Sequence, residues 1–250
     1  MNYLIIILYM VRTKKWKTST ARKASTARKA SSPKGVQAHG KKWENEIISI
    51  VVSPSKIEEA KNQPYTAVHD VPRYLNKMTG KNISVKTTGN KTVDFGDAMR
   101  TINNLEKKSP LEAVVITYEQ RDDVKEPKSV VRIDLTEGKD VLLGKNIDTF
   151  KERIKELDMM LKTRQPSYKK YAKNLQNDMK KDGSYMTLRP KVANPTKNRF
   201  GRLQISLSNI DKLIKEHPEM VLENNGCDIY DNNCLSILKS KRNINSKATR

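Results

Sequence analysis

Between residues 42 and 216 the apolar positions follow two periods, about 3.6 and 2, and the switches lay out a succession of helices and strands. From Lys42 to Val52, Trp43, Ile47, Ile50 and Val51 fall near one side and Glu44 and Glu46 lie off it, which predicts an amphipathic helix. Ser53-Pro54 ends it, and a short helix over Ser55–Asn62 is expected before Pro64. Tyr65–Val68 reads as a short strand leading into Asp70. Ile83, Val85 and Thr87 then alternate with Ser84, Lys86 and Thr88, the period of a half-buried strand, and Gly89-Asn90 closes it. Phe95, Met99, Ile102 and Leu105 recur at helical spacing, with Asp94 as the expected cap. Ala113–Tyr118 is nearly all apolar, as in a strand buried on both faces. Ser129–Leu135 is a further strand beyond a polar turn over 120–128.

In the second half, Phe150, Ile154, Leu157 and Leu161 predict a helix over about 146–163. Tyr168, Tyr171, Leu175 and Met179 predict another, stopped at Asp182-Gly183. Tyr185–Val192 and Arg202–Ser208 read as two strands around the loop 193–201, and Ser208-Asn209-Ile210-Asp211 opens a helix to about Glu216. The expected fold class is mixed α/β over residues 41–221, a central mixed sheet flanked by helices with helical and β-hairpin additions after about 140. Residues 222–250 read as a basic tail that frays.

Charge changes the picture most at the N-terminus. The chain carries 49 Lys and Arg against 28 Asp and Glu, a formal net charge of +21. No acidic residue precedes Glu44, while residues 11–42 hold eleven Lys or Arg. Ser19-Thr20-Ala21-Arg22-Lys23-Ala24 repeats at once as Ser25-Thr26-Ala27-Arg28-Lys29-Ala30, followed by Ser31-Ser32-Pro33-Lys34. A stretch so poor in large apolar residues cannot offset its ordering entropy, so residues 1–40 are expected to be a disordered basic tail. The repeats resemble histone-tail sequences in composition, but a solvated, nonspecific DNA-tethering arm or a localisation signal is the favoured reading. Lys23 and Lys29 are candidate methylation acceptors.

Other classes gain little. The apolar start Met1–Met10 is far short of the ~20 residues of a spanning helix, and translation from Met10 is the expectation, so no membrane partner is expected. Cys227 and Cys234, without a nearby His, make a poor zinc site and read as two reduced thiols. Gly80-Lys81 is not a phosphate loop, because Leu75 stands where the first glycine belongs and Asn82 where Ser or Thr does.

The remaining chemistry centres on Asp70 and Lys86. A carboxylate, a fifteen-residue gap and a lysine on a strand resemble the restriction-endonuclease-like nucleases, whose signature is Pro-Asp, a gap, then Asp/Glu-x-Lys. The resemblance covers residues 41–120, where a helix precedes the strands and a helix and strand follow. Chains of this size and charge with such a strand also resemble restriction enzymes of large algal DNA viruses. That likeness implies an intracellular protein in the cytoplasm or nucleus of an infected host cell, or one associated with the virion. His69 stands in place of the family's Pro, and Ser84 in place of its second carboxylate. The resemblance implies Asp70, Ser84 and Lys86 as catalytic positions and Mg²⁺ as cofactor; with Ser84 uncharged, either a second acid comes from Glu44, Glu46, Asp94 or Asp97, or the site is dead. Singly, each residue has a plainer reading: Lys86 as a solvent-facing lysine blunting an edge strand, Asp70 as a turn residue.

Double-stranded DNA is the expected partner of so basic a chain. Arg189, Lys191, Lys197, Asn198, Arg199, Arg202 and Gln204, around the 193–201 loop, carry the side-chain types that hold phosphates and read base edges. A palindromic cutter would act as a homodimer, since two equivalent sites must face two antiparallel strands. The alternative function is a noncatalytic DNA-binding or genome-packaging protein that works through its tail.

Overall fold

The computed structural model describes residues 38–63, 69–121, 124–194, 200–230 and 233–239. The basic tail up to residue 37, the Tyr65–Val68 segment, the loop residues Lys197, Asn198 and Arg199, and residues 240–250 lie outside them.

Helix α1 (Ala38–Val51) forms where the 3.6-residue spacing predicts it, starting four residues earlier. Its inward stripe is Trp43, Ile47, Ile48 and Val51, all fully buried, each such side chain contributing about 1.5–3 kcal/mol relative to exposure. A 3₁₀ turn (Pro54–Lys56) and the short α2 (Ile57–Lys61) follow. Strand β1 (Asn82–Thr88) pairs in parallel with β3 (Leu111–Arg121), and α3 (Ala98–Glu106) lies in the connection between them. Strand β4 (Val124–Asp134) runs antiparallel to β3. The polar segment expected to be a turn over 120–128 is thus mostly paired strand; the ladder reaches Arg121–Val124, where polar residues suit a hairpin tip open to water.

The central strand explains the two-sided core. Along β3, Ala113 and Val115 face one apolar cluster while Val114 and Ile116 face the other. Helix α1 covers the second face. The first faces α3, α4 (Lys139–Leu143), α5 (Ile147–Lys162), α6 (Tyr168–Lys181) and a three-stranded antiparallel sheet. That sheet has the order β2 (Val93–Asp97), β6 (Arg202–Leu207), β5 (Met186–Lys191). The architecture is mixed α/β, with a mixed sheet flanked by helices. No helix among the described residues is long and apolar enough to cross a membrane.

Two expectations are corrected. Val93–Asp97 is a strand, and Asp97, not Asp94, caps α3 by accepting the Arg100 N–H at 2.9 Å. Asp94 instead accepts the Gly96 N–H at 2.8 Å, within a register shift where Gly96 takes φ +84°. The C-terminal region also does not simply fray. After α7 (Ile210–Glu216), β7 (Val221–Glu223) and β10 (Leu238–Lys239) both pair with β4, and β8 (Asp228–Ile229) with β9 (Asn233–Cys234) forms a small hairpin. Ile229, Tyr230, Leu235 and Leu238 are buried against the α1 side of the sheet.

A buried polar network anchors this returning segment. Glu112 on β3 is fully buried, and Arg132 on β4 grips it with two hydrogen bonds, at 2.7 and 3.2 Å. Arg132 also donates to Glu223 on β7 at 2.8 Å and stacks 4.0 Å from the Tyr230 ring centre. The Tyr230 hydroxyl donates to Glu112. Burial and the Glu112 charge push the Tyr230 phenol well above its usual range. Burial alone would lower the Arg132 pKa, but its bonds to Glu112 and Glu223 raise it above the ordinary arginine value.

At the base of the β5–β6 hairpin, Leu203 N–H donates to Asp158 on α5 at 2.8 Å. A Cβ on Gly201 would stand 2.2 Å from the Leu161 carbonyl oxygen, so only glycine lets the chain pass. Gly201→Ala is expected to destabilise the fold by about 1–3 kcal/mol, the usual range for overpacking. Thermal melting checks this, and an unchanged midpoint would show that the loop is not seated against α5.

Candidate active site

The site is built on the free edge of β1. Strand β3 occupies one side of β1; on the other, Val71 makes an isolated antiparallel bridge to Ile83. The N–H groups of Asp70 and Val71 donate to the Ile83 carbonyl at 3.0 and 3.1 Å, and Ile83 N–H donates back to Val71 at 2.8 Å. This bridge turns the Asp70 side chain along the strand. Its Oδ2 accepts the next edge-facing amide, Val85 N–H, at 2.7 Å, and the Ser84 hydroxyl at 3.4 Å. The carboxylate thus takes the place that another strand's carbonyl would occupy.

Lys86 completes the edge. Its Nζ donates to the Val85 carbonyl at 3.2 Å and lies 3.7 Å from Asp70 Oδ2. Only 20% of the lysine side chain and 30% of the aspartate side chain are exposed, so neither is a freely solvated surface charge. The bend aspartate and the edge lysine thus face each other while each keeps part of its side chain in water. At roughly 4 Å and an intermediate dielectric, a pair of opposite charges attracts by a few kcal/mol before desolvation is subtracted.

Of the acids expected as candidates for a second carboxylate, Glu44 and Glu46 lie on helix α1. Glu44 ion-pairs with Lys41 one turn earlier, and its side chain is 19% exposed. Burial chiefly, and then the negative charge of Asp70, raise its pKa above the ordinary carboxylate value, while Lys41 and Lys86 pull it back. Glu44 is therefore electrically coupled to both members of the β1 edge. The N-terminus of the helix also lies against the strand: a Cβ on Gly40 would meet Thr87 Oγ1 at 3.5 Å. Glu46 cannot share this role, because two residues along a helix rotate a side chain by about 200°. Its carboxylate instead accepts the Ser236 N–H at 2.9 Å and so holds the C-terminal segment. Asp94 and Asp97 accept the Gly96 amide and cap α3, and of the four acids considered Glu44 is the one whose pKa is shifted by the charges of Asp70 and Lys86.

One neighbour has no separate role in the sequence reading. His69 is half-buried, and burial lowers its pKa below the usual value; Asp70 opposes that effect, whereas Lys86 and Lys107 add to it. The uncharged imidazole is therefore favoured more than in a free histidine. Its position beside Asp70 was its only signal in the sequence.

The donors around this edge are two carboxylates and a hydroxyl, all hard oxygen ligands. Mg²⁺ keeps several waters and is typically held by one or two carboxylates with phosphate oxygens supplying the rest. Glu44 and Asp70 fit that requirement. No cluster of three or more His, Cys, Asp or Glu side chains with metal-holding geometry occurs among the described residues, so an all-protein cage of the kind that holds zinc or calcium is not found there.

The nominated DNA-contacting residues fall on the three-stranded sheet. Arg189 lies directly opposite Gln204, and Lys191 opposite Arg202. They alternate with the buried Leu188, Leu203 and Ile205, so all four share the face turned away from the core. Arg189, Lys191 and Arg202 are exposed and Gln204 is half-buried. Phe200, at 86% exposure, stands beside them, an aromatic that the sequence reading passed over.

Compared with known proteins, the chain matches no family model, no curated protein and no solved structure.

Proposed function

We propose that this chain is a Mg²⁺-dependent endonuclease that hydrolyses phosphodiester bonds in double-stranded DNA, with a restriction-endonuclease-like core. The observation that carries the reading is the approach of Lys86 to Asp70 at 3.7 Å along the edge of β1, where both side chains are partly buried, with the Glu44 pKa shifted by both charges. The element order supports it in part: helices, an edge-pairing segment bearing the aspartate, β1 bearing the lysine, then β2, which joins the three-stranded sheet, followed by α3 and the parallel β3. Sequence specificity of the restriction type would rest on Arg189, Lys191, Arg202 and Gln204, whose ladder can enter a groove with Phe200 beside it.

Glu44 and Asp70 would hold the metal. Bound Mg²⁺ would supply a Lewis acid for the phosphoryl oxygen and a water of lowered pKa. Lys86, already oriented by the Val85 carbonyl, offers a compact cation to the negative charge that grows on the phosphoryl oxygens. His69, in its uncharged form, can take a proton at the same edge. Ser84 Oγ keeps Asp70 turned toward the strand, so the departure at that position costs a charge but not the aspartate's orientation.

The raised Glu44 pKa fixes the acid side of the pH profile. A cation binds the carboxylate form, and protonation competes with it. Cleavage is therefore expected to fall off with acidification at a pH above the ordinary glutamate value, and Glu44→Asp should shift that limb. A pH series of plasmid cleavage at fixed subsaturating Mg²⁺ checks this; an acid limb at the usual carboxylate range would remove Glu44 from the metal set.

Ser84 in place of a carboxylate favours a second reading, a noncatalytic DNA-binding or packaging protein. Incubating supercoiled plasmid with the full chain, in Mg²⁺ and in EDTA, separates the two. Nicking or linearisation only in Mg²⁺ supports the nuclease; binding without any strand break supports the packaging protein.

A further inference from the structure

Helix α6 carries five lysines, Lys169, Lys170, Lys173, Lys180 and Lys181, all exposed, and none has an ion pair or hydrogen-bond partner among the described residues. At about 100° per residue, Lys170, Lys173 and Lys181 fall on the side away from the buried Ala172, Leu175 and Met179, with Lys169 and Lys180 on its flank. Asn174 and Asn177, also exposed, fill the gaps between them. The neighbouring helix α5 is built differently. There Lys151 pairs with Glu106 and Asp148, Lys155 with Glu152, Lys162 with Asp158, and Arg153 with Asp178 of α6.

This arrangement works against folding. Lys169–Lys173 is a like-charge pair at i,i+4, and Lys170–Lys173 at i,i+3, spacings at which charges repel. Lys169 and Lys170 sit in the first turn, which holds no acid, at the positive end of the helix dipole. Lys180 and Lys181 in the last turn are favoured there and need no other reason. The three lysines of the first half have no structural compensation.

We infer that the solvent face of α6 is a phosphate-backbone contact for duplex DNA, separate from the β5–β6 face. From Lys169 to Lys180 the helix rises about 16 Å, a length over which a duplex presents about ten phosphate charges at one per ~1.7 Å. Lysine heads with interleaved amides suit sequence-independent phosphate contact. A membrane surface fits poorly, since the apolar residues of α6 are spent in the core and none is left to enter a bilayer. The inference rests on the reading that DNA is the partner, not on the cleavage chemistry.

The test is the salt dependence of binding. The full chain and the triple variant Lys169→Gln, Lys170→Gln, Lys173→Gln are titrated onto a 30-base-pair duplex in EDTA by fluorescence anisotropy, over a KCl series. Each neutralised phosphate contributes about 0.9 to the log–log slope, so the variant's slope should be shallower by about 2–3. Its melting temperature should be no lower than that of the parent, because only repulsions are removed. An unchanged slope overturns the inference, as does a wild-type chain that fails to bind the duplex. Lysine-dependent binding to phosphatidylserine vesicles with no change on DNA also overturns it, in favour of a membrane surface. A shallower slope without Mg²⁺-dependent plasmid cleavage supports this contact while removing the nuclease reading alone; cleavage with an unchanged slope does the reverse.

Discussion

Arg132→Ala is expected to cost about 3–5 kcal/mol, the range for removing one partner of a buried ion pair. Glu112 has no exposed surface, and Arg132 supplies two of its hydrogen bonds, at 2.7 and 3.2 Å. Without the guanidinium, Glu112 must keep an uncompensated charge or take up a proton, and Glu223 loses its 2.8 Å partner. Against a typical domain stability of about 5–15 kcal/mol, the loss is a large fraction of the total. Urea unfolding of the full chain measures it. The segment from β7 to β10 should loosen first, since Tyr230 and Glu223 tie it to β3 and β4 through this network. A double replacement of Glu112 and Arg132 by apolar residues of similar size should be much milder than either single change. If Arg132→Ala leaves the urea midpoint within 0.3 M, roughly 0.5 kcal/mol at ordinary m-values, the network is not buried as described.

The second large effect is on activity. Lys86→Ala is expected to lower Mg²⁺-dependent cleavage by about a hundredfold or more, the scale for losing one preorganised electrostatic partner of a developing charge. Glu44→Gln should lower it comparably while leaving the melting temperature at neutral pH equal or higher. The stability sign follows from its raised pKa. The native state holds the Glu44 proton more tightly than the unfolded chain, so stability falls as pH rises from the ordinary glutamate value through the raised one. At neutral pH the ionised, half-desolvated carboxylate is a cost, and glutamine removes it. A residue kept at a stability cost is what a working site requires. Equal loss of activity and of melting temperature would indicate a structural glutamate instead.

Much of the fold could be read from periodicity because the long elements bury one stripe each. Most of the α1 stripe (with Ile48 buried in place of the expected Ile50) and the near-continuous apolar run of β3 survive in the structure, whereas burial along β1 does not alternate: Thr88 is buried and Val85 and Thr87 are half-buried. What was hidden lies below the length at which a period can be seen. Val93–Asp97 holds a glycine and two aspartates in five residues, and its partner β6 begins more than a hundred residues later. The C-terminal strands are two or three residues long, anchored by single buried side chains such as Tyr230 and Leu238. Of the site, the pairing of Asp70 with Lys86 came from the resemblance to the nuclease signature, since the spacing of two such common residues does not single them out. The choice among Glu44, Glu46, Asp94 and Asp97 was not legible in the sequence. It depends on how α1 crosses β1 and on which local amide each carboxylate caps.

If Asp70, Glu44 and Lys86 form one hydrolytic site with Asp94 outside it, the two aspartates must differ in their effect on cleavage. Supercoiled plasmid in Mg²⁺ is incubated with the full chain and with its Asp70→Asn and Asp94→Asn variants, at matched folded concentrations. Strand breaks are expected from the parent and from Asp94→Asn, and none above the EDTA background from Asp70→Asn. Cleavage by Asp70→Asn at the parent's rate would contradict that arrangement.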